Sequence, residues 1–243
     1  MCIPFFVVLT PLLLTISIVT IYYFKDQIIK ENVLRQYVNN LPYEKWFGDI
    51  ENVPLPSFPS LICLHPHGII CTGILFSTHF RPQSCTVIAV SKWLFLIPFV
   101  GWVARHLGCI PATYHDILLA LKTTSVILVP GGVPELVTGK LYTKRYGFLK
   151  IAKKANVPIL PVVVKEEYYN RIPCPFVSFR EKIAIYVGLP IMLPVIGYYG
   201  TWLPKRIPIQ PKVLEQIKIK DSIEAEHDQY FAELSKIVKV LYK

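Results

Sequence analysis

Leu61-Ile62-Cys63-Leu64 runs directly into His65-Pro66-His67-Gly68, and the fold turns on this junction. Four apolar residues bounded by turn formers read as a buried strand. Pro66 has no N–H to offer a ladder and Gly68 permits a left-handed turn, so the strand stops there. Two imidazoles then stand at the carboxyl end of a strand, where open α/β sheets gather their reactive groups. Histidine is also the side chain whose ordinary pKa suits proton transfer near neutrality. A lone turn histidine usually does no more than find a hydrogen-bond partner. Two of them flanking a proline at a strand end point to chemistry.

Outward from this junction the same grammar repeats. Cys71 to Phe80 reads as helix and Thr86 to Val90 as a second strand. Trp93 to Ala104 is uncharged throughout and bracketed by Lys92 and Arg105. It is too short to span a bilayer, so it is either a core helix or an interfacial patch, and the flanking cations favour the patch. Asp116 to Lys122 is a short helix, and Ser125 to Val129 a third strand. That strand breaks at Pro130-Gly131-Gly132-Val133-Pro134-Glu135, a second strand end that delivers an acidic residue into a glycine loop. A basic helix opens at Arg145-Tyr146-Gly147-Phe148 and runs to Ala155. Val157 to Val164 is a fourth strand, and Lys182 to Val187 alternates like a fifth. Pro190 to Pro211 is an irregular lobe. Asp221 to Tyr242 closes the chain as an amphipathic helix with Ile223, Tyr230, Leu234, Ile237 and Leu241 on one side. Strands alternating with helices predict an α/β fold, a mixed sheet with covering helices.

The apolar share of 53% and mean hydropathy of +0.44 are high for a soluble protein, and the excess is concentrated at the start. Cys2 to Phe24 carries no charged side chain, enough to cross a bilayer core, which takes about 20 residues as helix. A cleaved signal would show a basic start and a shorter apolar stretch. Lys25, Lys30 and Arg35 follow, which places the remainder on the cytosolic side. Asp26 to Trp46 reads as an amphipathic helix, and Pro42, Pro54, Pro56 and Pro59 as an extended linker. The expected organisation is therefore an anchor over 1–24, a helix and linker over 25–60, and a catalytic domain over 61–243. A single span is favoured over a re-entrant anchor, although Pro11 leaves the latter open.

A net charge of +10 favours anionic partners such as headgroups or a phosphorylated co-substrate. No basic helix, finger or aromatic-basic motif for reading bases is present, which argues against nucleic acid. The six cysteines contain no Cys-x-x-Cys pair and sit in apolar strings, as small buried hydrophobes do in a reducing compartment. No metal site is expected.

From about Leu61 to the C-terminus the chain resembles the type 2 diacylglycerol acyltransferases and the related monoacylglycerol and wax-alcohol acyltransferases. His65-Pro66-His67-Gly68 matches the family tetrapeptide, and Gly131-Gly132 with Glu135 its Gly-Gly-x-x-Glu motif. Arg145, Gly147, Phe148, Lys150 and Ala152 match its Arg-x-Gly-Phe-x-Lys-x-Ala helix start. Pro161-Val162 and Glu167 fall where the family has a Pro-Val strand and a Phe-Gly-Glu-Asn turn. Of that turn, Lys165-Glu166-Glu167-Tyr168 keeps only the glutamate. His227, Tyr230 and Leu234 resemble the family's terminal helix.

The resemblance implies a membrane-bound enzyme of the endoplasmic reticulum that faces the cytosol. It would transfer a fatty acyl group from acyl-CoA to diacylglycerol, with acyl-CoA as a co-substrate and no tightly bound cofactor. Monoacylglycerol or a long-chain alcohol is the alternative acceptor, and a non-catalytic lipid-binding paralogue the alternative class. Homo-oligomerisation is left open. His65 or His67 would be the general base. Related lysophospholipid acyltransferases carry an aspartate five positions after their histidine, where this chain has Ile70 or Thr72. Glu135 is the candidate to hold the imidazole in its place. Gly68, Gly131 and Gly132 are candidate oxyanion donors. Arg145, Gly147, Phe148, Lys150 and Glu167 are assigned to substrate or acyl-CoA binding. No Gly-x-Ser-x-Gly elbow occurs, so direct transfer is expected over an acyl-enzyme.

Overall fold

The computed structural model describes residues 42–48, 58–68, 86–165, 167–171, 177–188, 195–201, 203–219 and 222–241. The expected anchor, most of the helix and linker, and the expected helix over 71–80 lie outside them. Among the described residues no helix is long and apolar enough to cross a membrane.

A short helix α1 (Tyr43–Phe47) precedes β1 (Leu61–His65) and β2 (Thr86–Val90). A 3-10 turn (Lys92–Leu96) leads to α2 (Pro98–His106), β3 (Cys109–Pro111) and α3 (Tyr114–Ala120). Next come β4 (Ser125–Leu128), α4 (Gly132–Thr138), α5 (Gly147–Ala155) and β5 (Ile159–Val163). The chain finishes with β6 (Asn170–Arg171), α6 (Val177–Val187), β7 (Val195–Ile196), β8 (Lys212–Val213) and α7 (Ile223–Leu241). One six-stranded sheet has the order β3-β2-β4-β1-β5-β8. Its strands are parallel except β8, which runs antiparallel on the edge of β5.

β1 lies between β4 and β5, and all five of its residues are buried, as its unbroken apolar run requires for a strand covered on both faces. Alternation splits them. Leu61 and Cys63 pack under α3, α5 and α7, while Ile62 and Leu64 meet Tyr43, Phe47, Tyr168 and Ile209 on the opposite face. Because β1 and β4 are parallel, with Cys63 opposite Leu128, their carboxyl ends lie side by side. The histidine turn and the Pro130–Glu135 segment therefore meet at one edge of the sheet.

Two expectations are corrected. Lys182 to Val187 is not a fifth strand but the end of α6. Its alternation is real, yet Ala184 buries against Leu136 and Val137 of α4, and that packing takes the segment into helix. Glu135 does not sit in a glycine loop either. Gly132 already begins α4, so Glu135 is a buried residue of the first turn of a helix. The expected fourth strand, third strand, basic helix and closing helix are present with boundaries shifted by a few residues.

Candidate active site

Period-two alternation aims His65 at the same face as Cys63, towards α7. Its ring is 0% exposed. Nε2 lies 2.9 Å from the Tyr230 hydroxyl of α7, and Nδ1 lies 3.6 Å from Glu135 Oε1, beyond hydrogen-bond length. Across a cis His65–Pro66 peptide the chain turns outward, and Gly68, at φ 62°, takes the left-handed conformation that suits glycine. His67 is half-buried at the rim. Its Nδ1 sits 3.1 Å from the Gly68 carbonyl oxygen. A carbonyl can only accept, so Nδ1 carries the proton and Nε2 the lone pair.

Glu135 ties the two strand ends together. Its Oε2 accepts the His67 backbone N–H at 2.9 Å and its Oε1 the Tyr142 N–H at 3.0 Å. Burial pushes its carboxyl pKa up, but His65 and the two N–H donors outweigh burial, and the net displacement is downward. The Gly-Gly-x-x-Glu spacing acquires a steric reason here. A Cβ on Gly131 would overlap the Glu135 carboxyl group, so glycine makes the space into which Glu135 folds back over the start of α4. Gly132 adopts φ +53° with the Arg145 guanidinium against it, and a side chain would be strained and obstructed at once.

Arg145 stands in solvent beside the turn, donating to the Pro130 carbonyl at 3.4 Å, with its guanidinium 5.9 Å from the Tyr142 ring centroid. Its charge reaches His67, whose pKa is lowered first by burial and then by Arg145, against the upward pull of the Gly68 bond and Glu135. The rim imidazole is thus kept neutral, the form that can take a proton.

The other sequence-assigned residues separate. The Gly132 N–H is engaged by the Val129 carbonyl at 3.1 Å, which removes it from the oxyanion donors; Gly68 and Gly131 remain. Phe148 is not at a substrate surface but in the core, 5.1 Å from the Tyr230 ring. Gly147 opens α5 with open space where a Cβ would stand, nothing lying within 4 Å, and Lys150 is exposed on the same helix. Glu167 is exposed and paired with Lys165 at 3.1 Å. Sequence reasoning missed Tyr230 as the partner of His65. It placed Tyr230 on an apolar helix face, and only the docking of α7 gives its hydroxyl a role. His227, also on α7, is buried and stacked on Tyr146, 3.9 Å between centroids, next to Arg145. Cys63 lies beneath Tyr230, and burial raises its thiol pKa well above the ordinary value, so it stays a protonated hydrophobe. An open cleft lined by Phe58, Leu121, Val157 and Lys218 lies at the amino ends of β1 and β5, across the sheet from both histidines.

A parallel-centred α/β sheet thus carries two histidines at its carboxyl edge, held there by a carboxylate from the helix that follows the neighbouring strand. Residues 60–165, β1 through the end of β5, match the model of the Acyltransferase family. The fold is similar to that of the 1-acyl-sn-glycerophosphate (LPA) acyltransferase PlsC from Thermotoga maritima. The TM-score is 0.54 at 19% identity, over 96% of this chain and 97% of that one. No curated protein sequence matches the chain significantly.

Proposed function

We propose that this chain is an acyl-CoA-dependent O-acyltransferase of the endoplasmic reticulum membrane that esterifies the free hydroxyl of diacylglycerol, with His67 as general base. The observation that carries this reading is the division between the two histidines. His65 is sealed beneath α7, whereas His67 stands at the rim with its Nδ1–H held by Gly68 and its Nε2 in the accepting form.

The acceptor O–H gives its proton to His67 Nε2 as its oxygen attacks the thioester carbonyl. Gly68, next to His67, and Gly131, packed against the glutamate that binds the His67 N–H, are the candidate backbone donors for the resulting oxyanion. Collapse breaks the C–S bond, and the leaving thiolate takes the proton back from the His67 imidazolium. Glu135 holds the His67 backbone through the transfer and favours the transient cation. Arg145 offers an anionic group of acyl-CoA a guanidinium at the same rim.

Two features support a neutral lipid acceptor. Glycerophosphate-type acyltransferases, to which the chain is related by the resemblance above, carry an arginine in the loop where this chain has Val133-Pro134-Glu135-Leu136, and the resemblance therefore implies an acceptor without phosphate. Leaving the carboxyl end of β2, at the same edge as His67, Leu96 (69% exposed), Ile97 (43%) and Val100 (39%) face outward. Lys92 and Arg105 flank them, each placed over a neighbouring ring of Trp93 or Phe95. Apolar side chains rimmed by cations suit a bilayer surface.

Microsomes carrying the full chain, supplied with labelled oleoyl-CoA and a panel of diacylglycerol, monoacylglycerol and a long-chain alcohol, test the reading. Ester should form on diacylglycerol and fall by about 10²–10⁴ in His67→Ala while the protein keeps its wild-type abundance. Undiminished ester from His67→Ala would refute the assignment of the base.

A further inference from the structure

The side chains beneath the rim form a chain of their own, drawn from three elements: Cys63 and His65 of β1, Tyr230 of α7 and Glu135 of α4. Tyr230 and His65 are both buried, and their contact is 2.9 Å. His65 Nδ1 faces the Glu135 carboxylate at 3.6 Å and has no hydrogen-bond partner of its own. That contact selects the tautomer. A lone pair on Nδ1 would face a carboxylate oxygen, two acceptors opposed in a site without water's dielectric. With the proton on Nδ1 the pair attracts, and Nε2 becomes an acceptor. The phenol must then donate its single hydrogen to Nε2. Burial raises the Tyr230 pKa well above its ordinary value and keeps that hydrogen in place. The thiol of Cys63, likewise protonated, lies against the same phenol. The hydrogens of Tyr230 and His65 both point towards Glu135, and Glu135 in turn receives the His67 N–H.

We propose that Tyr230 is a positioning residue, through which the closing helix α7 sets the orientation of His65 and Glu135 and thereby holds the His67 turn. The activity part of this proposal rests on His67 being the base; the geometric part does not. Among the described residues, charged groups that act on His67 include Glu135 from α4 and Arg145 from the segment before α5. Those facing Tyr230 are Cys63 and His65 from β1 and Glu135 from α4. Packing alone would give Tyr230 a different signature, because Leu234, one turn further along α7 and 0% exposed, offers the core apolar surface without a polar atom.

The test compares full-length wild type, Tyr230→Phe and Leu234→Ala in detergent. The rate at which diethyl pyrocarbonate modifies His67 is followed by peptide mass spectrometry across pH, together with kcat, KM and thermal stability. In Tyr230→Phe the His67 turn loosens and takes on water. Burial is the largest cause lowering the His67 pKa, so its modification midpoint should rise towards 6.5. Over the same change kcat should fall about tenfold with KM little altered. Leu234→Ala should lose thermal stability and leave the midpoint where it was. His65→Phe, which keeps a ring and drops both nitrogens, should move the midpoint as Tyr230→Phe does and carries the test if that variant does not accumulate. A Tyr230→Phe protein that loses only stability, with the wild-type midpoint, overturns the proposal. If no variant or wild type transfers acyl groups, the midpoint still decides the geometry, and only the catalytic reading is lost.

Discussion

Replacing Gly131 by alanine would put a methyl group where the Glu135 carboxyl now lies. The obstruction is Cγ and Cδ of Glu135 as well as Oε1, so turning the carboxyl group about its own bond does not relieve it, and the carboxylate must swing away. Leaving forfeits the bonds from the His67 and Tyr142 N–H groups, 2.9 and 3.0 Å long. Hydrogen bonds to a charged acceptor contribute roughly 1.5–3 kcal/mol each. Rehydration of the displaced carboxylate offsets part of the loss, so about 3 kcal/mol is the expected cost, near the low end for breaking a buried charged contact. In a chain of this size that is a fall of roughly 6–12 °C in Tm. Gly147→Ala is the matched control. Nothing lies within 4 Å of its Cβ, and alanine there should stabilise by about 0.4–1 kcal/mol through the unfolded state. Thermal melts and urea midpoints of the two variants beside wild type give the comparison, with acyl transfer measured in parallel. Gly131→Ala should lose both stability and transfer; Gly147→Ala should lose no stability. Equal melting of the two variants would refute the claim that Gly131 exists to seat Glu135.

Glu135→Gln tests the carboxylate by pH. A carboxyl whose native pKa is depressed contributes stability that is fully present above its ordinary value of 4.5 and is lost as pH falls through the native value. The gap in urea midpoint between wild type and Glu135→Gln should therefore be widest near neutrality and close as pH drops below that value. A gap independent of pH would remove the charge from the account. For His67 the sign runs the same way on activity. A depressed imidazole pKa keeps the base neutral to lower pH, so the acid limb of kcat/KM should have its midpoint below 6.5, and a midpoint above it would contradict the site's electrostatics. The apolar rim is tested by Leu96→Glu combined with Val100→Glu. Transfer to diacylglycerol held in vesicles should fall severalfold while transfer to a dispersed short-chain acceptor stays level, and an equal fall on both would mean that the rim does not meet the bilayer.

Much of the architecture was legible along the chain because its signals are local. The run Leu61–Leu64 with Pro66 and Gly68 behind it marks a strand and its end without reference to anything else. The same holds for Ser125–Leu128 before Pro130, for Ile159–Val163, and for the apolar face of α7. Where local pattern misled, packing had the larger stake. Ile183, Ile185 and Val187 alternate as a strand would, but Ala184 is worth more buried against α4 than the alternation is worth in a sheet. Phe148 travelled with a motif read as a binding segment, yet its ring belongs to the core under α7.

By itself the sequence determined that two strands would end in polar turns, one carrying histidines and the other leading through two glycines to a glutamate, since strand endings are written in proline, glycine and hydrophobic run length. It also determined that Glu135 was the carboxylate to watch, by the absence of an acid at Ile70 and Thr72. Only the tertiary structure decided that the two ends touch, which histidine is sealed and which stands at the rim. The parallel register of β1 with β4 brings Glu135 to the His67 N–H, and the docking of α7 seals His65 while leaving His67 at the rim. Those are contacts between residues far apart in the chain, set by pairing and by burial against another element, and no short-range periodicity encodes them.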